Sequence, residues 1–183
     1  LTLDMVQKIS GSVSLKFNAT LFSNLISNLI QWVPGPFTYW TAENAGKVST
    51  MGAESAFSAE YSSGGLSAKI DFNYSLTKAS RTASLTSGDD LNGKQLIYIP
   101  VHSANSSLHV QYNKFYSVLS SVYTGKRYTV VDNSSYLPDY LINSITVGYE
   151  ILKNQNKYNI GFLADNFLNA AYESVAWYPQ PGR

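Results

Sequence analysis

The 183-residue sequence contains no cysteine and two histidines. The absence of cysteine excludes disulfides, cysteine-ligated metal sites and a thiol nucleophile, and two histidines leave little material for a histidine-based metal site. Charged residues make up 14% of the chain, against roughly 25% in ordinary soluble domains. The formal net charge is +1, so the composition does not favour a nucleic-acid partner.

Long apolar runs are also missing, which excludes a transmembrane helix. The densest apolar stretch, Leu21 to Val33, is interrupted by Ser, Asn and Gln. The beginning of the chain has no initiator Met and no basic segment followed by an apolar one, so we expect no signal peptide there. The end follows a loop-like stretch. We therefore expect the chain to be a fragment of a longer protein.

Uncharged polar residues replace the missing charge: the sequence has 25 Ser and 15 Asn beside 14 Tyr. Hydrophobic residues reach 44%, which indicates a folded chain. The dominant pattern has period two, the period of a β-strand. It is cleanest where Leu66, Ala68, Ile70, Phe72, Tyr74 and Leu76 alternate with Ser67, Lys69, Asp71, Asn73, Ser75 and Thr77.

The alternation predicts seven long strands joined by connections of alternating length. The strands are expected at about 9–32, 46–62, 65–79, 98–113, 115–130, 138–152 and 157–173. Tight turns are expected at 62–65, 113–114 and 153–156, and long connections at 33–45, 80–97 and 131–137, with another from Ser174. Short turns on one side and long loops on the other are typical of outer-membrane barrels. We predict an all-β fold, an antiparallel up-and-down meander forming part of a transmembrane β-barrel.

Aromatic residues gather near both ends of the predicted strands. One group stands beside the short turns: Tyr61, Tyr112, Phe115, Tyr149 and Tyr158. A second group stands near the long connections: Trp32, Phe37, Tyr39, Trp40, Tyr123, Tyr128, Tyr136 and Tyr140. Two such levels are expected for aromatic girdles at the two surfaces of a membrane. The alternative is a soluble β-sandwich or a small barrel acting as a binding module, since these folds alternate in the same way.

Several motifs carry a family resemblance that extends from about Gly11 to Arg183. They include Gly125-Lys-Arg-Tyr-Thr129, Asp132-Asn-Ser-Ser-Tyr-Leu-Pro138, Asp165-Asn-Phe-Leu-Asn169 and the ending Val175-Ala-Trp-Tyr-Pro-Gln-Pro-Gly-Arg183. Upstream, Leu29-Ile-Gln-Trp32, Glu43-Asn-Ala-Gly-Lys47, Gly52-Ala-Glu54 and Gln95-Leu-Ile-Tyr-Ile-Pro100 follow in the same order as in the family. The set resembles the C-terminal barrel region of TonB-dependent outer-membrane receptors. Its ending is most similar to cobalamin-receptor-like members of Bacteroidetes type.

The resemblance implies a bacterial outer-membrane protein that imports a scarce nutrient such as siderophore-bound iron or cobalamin. It implies that residues 1–183 are a partial barrel, lacking the plug domain and the last strand. Its partners would be outer-membrane lipid, its own plug domain and, through the plug, TonB, together with a small-molecule ligand. Ligand contacts would come from the long loops, which are extracellular in this family.

No catalytic constellation is visible in the sequence, so we expect no enzyme activity, no cofactor and no metal site. His102 and His109 are seven residues apart on one predicted strand and therefore face opposite sides. Our ligand-binding candidates are Tyr39, Trp40 and Asp89. The aromatic rings offer stacking area, and a carboxylate suits a cationic or metal-bearing ligand. The Gly125-Lys-Arg127 segment is interpreted as a basic anchor in lipid headgroups.

Overall fold

The computed structural model describes residues 1–35, 39–82, 91–153 and 156–183. Fourteen β-strands are present in these ranges. They are β1 (Thr2–Ser10), β2 (Val13–Ile26), β3 (Ile30–Pro34), β4 (Trp40–Asn44), β5 (Val48–Ser63), β6 (Leu66–Arg81), β7 (His102–Tyr112), β8 (Phe115–Thr124), β9 (Arg127–Tyr128), β10 (Tyr136–Leu137), β11 (Tyr140–Lys153), β12 (Asn156–Ala164), β13 (Glu173–Val175) and β14 (Tyr178–Pro179). None of the described residues belongs to a helix long and apolar enough to cross a membrane.

The eight long strands form one antiparallel sheet in the order β1-β2-β5-β6-β7-β8-β11-β12. The other six form three two-stranded ribbons, β3–β4, β9–β10 and β13–β14. This single meander confirms the predicted all-β class. The sandwich alternative is wrong, because all the long strands share one sheet. A small closed barrel is also excluded for the described residues, since β1 and β12 are the two edges of the sheet.

The predicted strand at 9–32 is three strands in the structure. A turn at Gly11 and Ser12 separates β1 from β2, and Asn28 adopts a φ of 56° where the chain passes from β2 to β3. β1 is an addition to the predicted set, because Val6 and Gln7 interrupt the alternation of the first nine residues. The predicted strands 115–130 and 157–173 end earlier, at Thr124 and Ala164.

The connections alternate between short and long, as expected. Gly64 and Gly65 join β5 to β6 with φ values of 57° and 82°, the left-handed conformation that tight hairpins need. Asn113 does the same between β7 and β8, with φ 54°. The ribbons all lie in the long connections or after β12. Because the sheet is a meander, every long connection leaves from the same end of it.

The two faces of the sheet differ in polarity. The apolar face carries Leu66, Ala68, Ile70, Phe72, Tyr74 and Leu76, and their cross-strand partners extend it: Ile70 lies opposite Leu108, which lies opposite Leu119, which lies opposite Ile145. The polar face carries Ser67, Lys69, Asp71, Asn73 and Ser75. There Lys69 Nζ lies 3.2 Å from Asp71 Oδ2 and 3.9 Å from Glu60 Oε1. These exposed ion pairs contribute little stability, but they collect charge on one face.

The aromatic residues beside the short turns all lie on the apolar face. Tyr112 is opposite both Leu66 and Phe115, and Phe115 is opposite Tyr149. The rings of Phe115 and Tyr149 are 4.6 Å apart between centroids. This level matches the expected girdle. In the second group Tyr123 is on the apolar face, whereas Tyr128 and Tyr136 pair with each other in the β9–β10 ribbon, beyond the end of the sheet.

Candidate functional site

The described parts of the long connections fold into a compact layer over one end of the sheet, which we call the cap. It consists of residues 27–35, 39–47, 91–101, 125–139 and 165–183. A small hydrophobic core lies where the cap meets the sheet. Its buried members are Ala45, Val48, Ala79 and Leu96, with Leu29 and Ile99 packed against them. Both faces of the sheet are open elsewhere, so this is where apolar burial orders the connections.

The buried side chain of Gln95 stabilises the cap through hydrogen bonds. Its side chain is 8% exposed, accepts a hydrogen bond from the Ala79 backbone N–H at 3.0 Å, and donates to the carbonyls of Thr77 and Ile99, both at 3.3 Å. The amide therefore satisfies backbone groups of β6 beyond Leu76, where the pairing of β6 with β7 has ended. Such groups are costly to bury without a partner, so Gln95 holds residues 91–101 along the edge of β6.

Asn133 connects this segment to the next long connection. The Gln95 backbone N–H donates to Asn133 Oδ1, and Asn133 Nδ2 donates back to the Gln95 carbonyl, both at 2.9 Å. Asn133 adopts a φ of 63°, which Asn tolerates better than most residues. The neighbouring Tyr98 N–H donates to the Tyr128 carbonyl at 2.8 Å. Two connections that are far apart in sequence thus form one unit.

Arg127 ties the β9–β10 ribbon to the C-terminal segment. It is 4% exposed, and its guanidinium donates to the carbonyls of Glu173 at 3.1 Å and Pro138 at 2.8 Å. The same group lies 4.6 Å from the centroid of the Tyr140 ring, a cation–π contact. The interpretation of this segment as a headgroup anchor is wrong for Arg127, because its charged group points into the protein.

Lys126, the other basic residue of that segment, lies over two tyrosine rings of the ribbon. Its Nζ atom is 4.8 Å from the ring centroids of both Tyr128 and Tyr136. Beyond them, Asp132 closes the ribbon turn. Hydrogen bonds from the Ser134 backbone N–H and hydroxyl hold the pKa of the Asp132 carboxyl below its ordinary value. It therefore stays ionised near neutral pH.

A cleft of about 850 Å³ opens between the β3–β4 hairpin, two cap segments at Tyr98 and at 129–137, and the β13–β14 ribbon. Its size is in the range of small-molecule sites. Its lining contains Pro34, Gly35, Tyr39, Trp40, Tyr98, Thr129, Val130, Ser135, Tyr136, Leu137, Glu173, Val175, Ala176, Trp177 and Tyr178. The Gln95–Asn133 pair and the Arg127 contacts described above hold these segments together, so the cap builds the cleft.

Aromatic rings dominate the cleft. Trp40 and Tyr98 contact each other with centroids 5.6 Å apart, and Trp177 at the opposite rim is 90% exposed. Trp177 has a φ of 71°, and its backbone N–H donates to Glu173 Oε2 at 2.9 Å. Among the lining residues that the structure describes, Glu173 is the one with a charged side chain.

The structure places some of the ligand-binding and aromatic residues predicted from the sequence in the cleft and others outside it. Tyr39 and Trp40 both line the cleft, and their role as ligand-binding residues remains a prediction. Asp89 lies outside the described residues, as does Phe37 of the second aromatic group. Trp32 is exposed on β3 and does not line the cleft. Sequence reasoning missed Tyr98, Tyr136, Trp177 and Tyr178, although the adjacent Trp177 and Tyr178 are visible as an aromatic pair in a loop-like ending.

No group of three or more His, Cys, Asp or Glu side chains in the described ranges is arranged to hold a metal ion. The arrangement offers stacking surfaces, hydroxyl groups from Thr129 and Ser135, and one carboxylate. Such groups can bind a ligand through stacking, hydrogen bonds and charge. We therefore treat the cleft as a candidate binding site.

A single antiparallel meander with an exposed apolar face and a cap at one end is the architecture of a membrane-barrel wall. A family model for the TonB dependent receptor-like beta-barrel matches residues 8–167. The chain therefore belongs to the TonB dependent receptor-like, beta-barrel family. No curated protein sequence matches the chain.

Solved receptor structures share the fold. The siderophore receptor PiuA from Acinetobacter baumannii is similar over 100% of this chain, with a TM-score of 0.69 and 19% identity, and the chain covers 27% of it. The ferric yersiniabactin uptake receptor FyuA from Yersinia pestis matches over 99% of this chain, with a TM-score of 0.63 and 18% identity, and 26% of its own length is covered. The FrpB iron transporter from Neisseria meningitidis is similar over 100% of this chain, with a TM-score of 0.57 and 19% identity, and the chain covers 29% of it. The chain thus spans less than a third of each structure.

Proposed function

We propose that this chain supplies wall and extracellular loops to an outer-membrane receptor that imports a scarce small-molecule nutrient. The observation that carries the proposal is the cleft: an aromatic binding surface lies at the capped end of a sheet whose apolar face is exposed. A receptor needs both features, a wall that fits lipid and a loop layer that captures ligand. The chemistry is binding and gating, without bond-making by this chain.

The exposed apolar face is the surface that we assign to outer-membrane lipid. Ile160 and Phe162 of β12 and Ile70 and Phe72 of β6 are exposed on it, and leaving so many large apolar side chains in water is unfavourable. The charged Lys69, Asp71 and Glu60 lie on the opposite face, as they do in barrels with a wet interior. That face would line the lumen and adjoin the plug.

The capped end would face the outside of the cell, with Tyr39 and Trp40 among the ligand contacts. Asp89 stays a candidate from the sequence. The similar structures include a siderophore receptor and an iron transporter, which favours an iron chelate as the nutrient, while the cobalamin-like ending of the sequence favours a corrinoid. Energy for release would come from TonB acting through the plug.

Uptake by cells that carry the full-length receptor tests this function. We expect energy-dependent uptake of a radiolabelled iron chelate or corrinoid that disappears when the receptor gene is deleted or the proton gradient is collapsed. Trp40→Ala should weaken ligand binding by roughly tenfold, because it removes a stacking surface.

Trp32→Ala is the matched control, since Trp32 is an exposed tryptophan of the same hairpin outside the cleft. Surface levels of each variant are measured by labelling intact cells. Uptake of both nutrient classes that is unchanged by deletion would contradict the proposed function. Equal effects of the two tryptophan variants would remove Trp40 from the site.

A further inference from the structure

The cleft residues also define the chemistry of the ligand. We propose that the cleft takes a flat, ring-bearing ligand group that carries no negative charge, and that Trp177 is the residue that stacks on it. This inference rests on the proposed function, because it specifies the ligand of the same site. It assigns a role to Trp177 and Glu173, which neither the sequence nor the fold comparison singles out.

Exposed aromatic area is the first observation. Six lining residues carry aromatic rings: Tyr39, Trp40, Tyr98, Tyr136, Trp177 and Tyr178. Trp177 and Tyr178 are among the most exposed large side chains of the described residues. They belong to the β13–β14 ribbon of the cap and not to the sheet whose apolar face is assigned to lipid. Rings held open around a cleft are suited to stacking on another ring.

The backbone of Trp177 is the second observation. Its φ of 71° lies in the left-handed region, where a bulky residue is uncommon and a tight turn ordinarily uses Gly or Asn. Glu173 stabilises the turn by accepting the Trp177 N–H at 2.9 Å. The turn thus displays a tryptophan at a position where a glycine would be less strained. Glu173 acts here as a positioning residue for Trp177.

Charge is the third observation. Glu173 is the charged side chain among the described lining residues, and no Lys or Arg in the described ranges lines the cleft. Two basic residues contact the back of the lining without belonging to it: Arg127 is buried against Tyr140 and the carbonyls of Glu173 and Pro138, and Lys126 lies over the rings of Tyr128 and Tyr136. Aromatic faces and a carboxylate attract cations and repel anions. Among the described lining residues, an anionic group would meet the Glu173 carboxylate and no basic side chain.

Three probes of one ring size test the charge preference: a naphthol, a naphthyltrimethylammonium and a naphthalenesulfonate. Their binding to the purified full-length receptor in detergent is measured by calorimetry. We expect the cationic and neutral probes to bind at least about tenfold more tightly than the sulfonate, the difference made by a favourable rather than an unfavourable charge contact. Equal or tighter binding of the sulfonate would overturn the charge assignment.

Variants test the two residues separately. Trp177→Ala should weaken the naphthol by roughly tenfold, and Trp177→Phe should restore most of the loss, because a ring is again available. Trp32→Ala is the control and should have no effect. Glu173→Gln keeps an acceptor for the Trp177 N–H, so it should weaken the cationic probe and leave the naphthol unchanged. Identical results for Trp177→Ala and Trp32→Ala would overturn the stacking role.

These outcomes are independent of the uptake experiment. A receptor that imports its nutrient but binds the sulfonate most tightly overturns the ligand chemistry and leaves the proposed function standing. A receptor that ranks the probes as expected but supports no uptake retains the cleft assignment and loses the import role.

Discussion

At the level of single residues, glycines on the polar face set how closely neighbouring strands and rings approach. Phe22 lies opposite Gly52, and Tyr116 lies opposite Gly148. In both pairs a ring occupies the space above a residue without a side chain, an arrangement that stabilises glycine in a sheet. A Cβ atom on Gly52 would fall on the Leu76 carbonyl oxygen and lie 2.6 Å from the Phe22 ring.

We therefore expect Gly52→Ala to destabilise the barrel by about 1–3 kcal/mol, the usual cost of forcing atoms into a filled space. Gly11→Ala is the matched control, because a Cβ atom there would meet nothing within 4 Å. Thermal unfolding of the full-length receptor in detergent, monitored by circular dichroism, measures the change in stability for both variants. If the Gly52→Ala receptor unfolded at the same temperature as the wild type, β5 and β6 would separate at little cost in free energy.

Between elements, two side-chain amides hold the cap together: the Asn133 amide joins two long connections, and the buried Gln95 amide joins one of them to β6. Gln95 and Asn133 exchange two bonds, and the Gln95 side chain also caps backbone groups of β6. Gln95→Ala would leave the Ala79 N–H and two carbonyls without their partner, at about 1–3 kcal/mol for each group that stays buried and unpaired. The cleft depends on both sets of bonds, because the Gln95 side chain holds the connection that carries Tyr98 against β6, and the Asn133 amide joins that connection to the one that carries Tyr136.

Hydrogen–deuterium exchange of the full-length receptor tests this coupling. In Gln95→Ala we expect faster exchange in residues 91–101, which lose their side-chain bonds to β6, with unchanged protection in the middle of β5 and β6. The exposed Gln7 of β1 provides the control variant, Gln7→Ala, which should leave both regions unchanged. Faster exchange throughout the sheet, or none in the cap, would contradict a local role for Gln95.

The residues that form the cap were only partly predictable. The predicted long connection at 80–97 contains Gln95, but nothing in the sequence indicates that its side chain holds this connection against β6. Asn133 and Arg127 were read as parts of a loop and a basic segment. The sequence does not reveal that their partners are Gln95 and Tyr140, because side chains in irregular segments follow no period that indicates what they contact.

At the level of the whole molecule, the two faces of the sheet are the basis of the membrane orientation that we propose. Adjacent residues of one strand report on the two faces, and the absence of Cys leaves this chain free of background labelling. We expect a spin label at Ile70→Cys to contact lipid and a label at Asp71→Cys to contact water in the full-length receptor. Ile70 is on the exposed apolar face, and Asp71 pairs with Lys69 on the other.

Collision measurements with oxygen and with a water-soluble nickel complex distinguish the two environments. The pair Phe72→Cys and Asn73→Cys repeats the comparison one pleat further along β6 and serves as the internal check. Water contact at 70 and 72 with lipid contact at 71 and 73 would reverse the assignment of the faces.

The sequence by itself determined seven of the eight strands of the main sheet, the polarity of its two faces and the alternation of short and long connections. These properties follow from a period of two and from turn residues such as Gly64 and Gly65, both of which are local. Tertiary structure alone decided where the candidate binding site forms. Trp40, Tyr98, Tyr136 and Trp177 line one cleft because the meander brings every long connection to the same end of the sheet, where the side chains of Asn133 and Arg127 join segments that are distant in sequence.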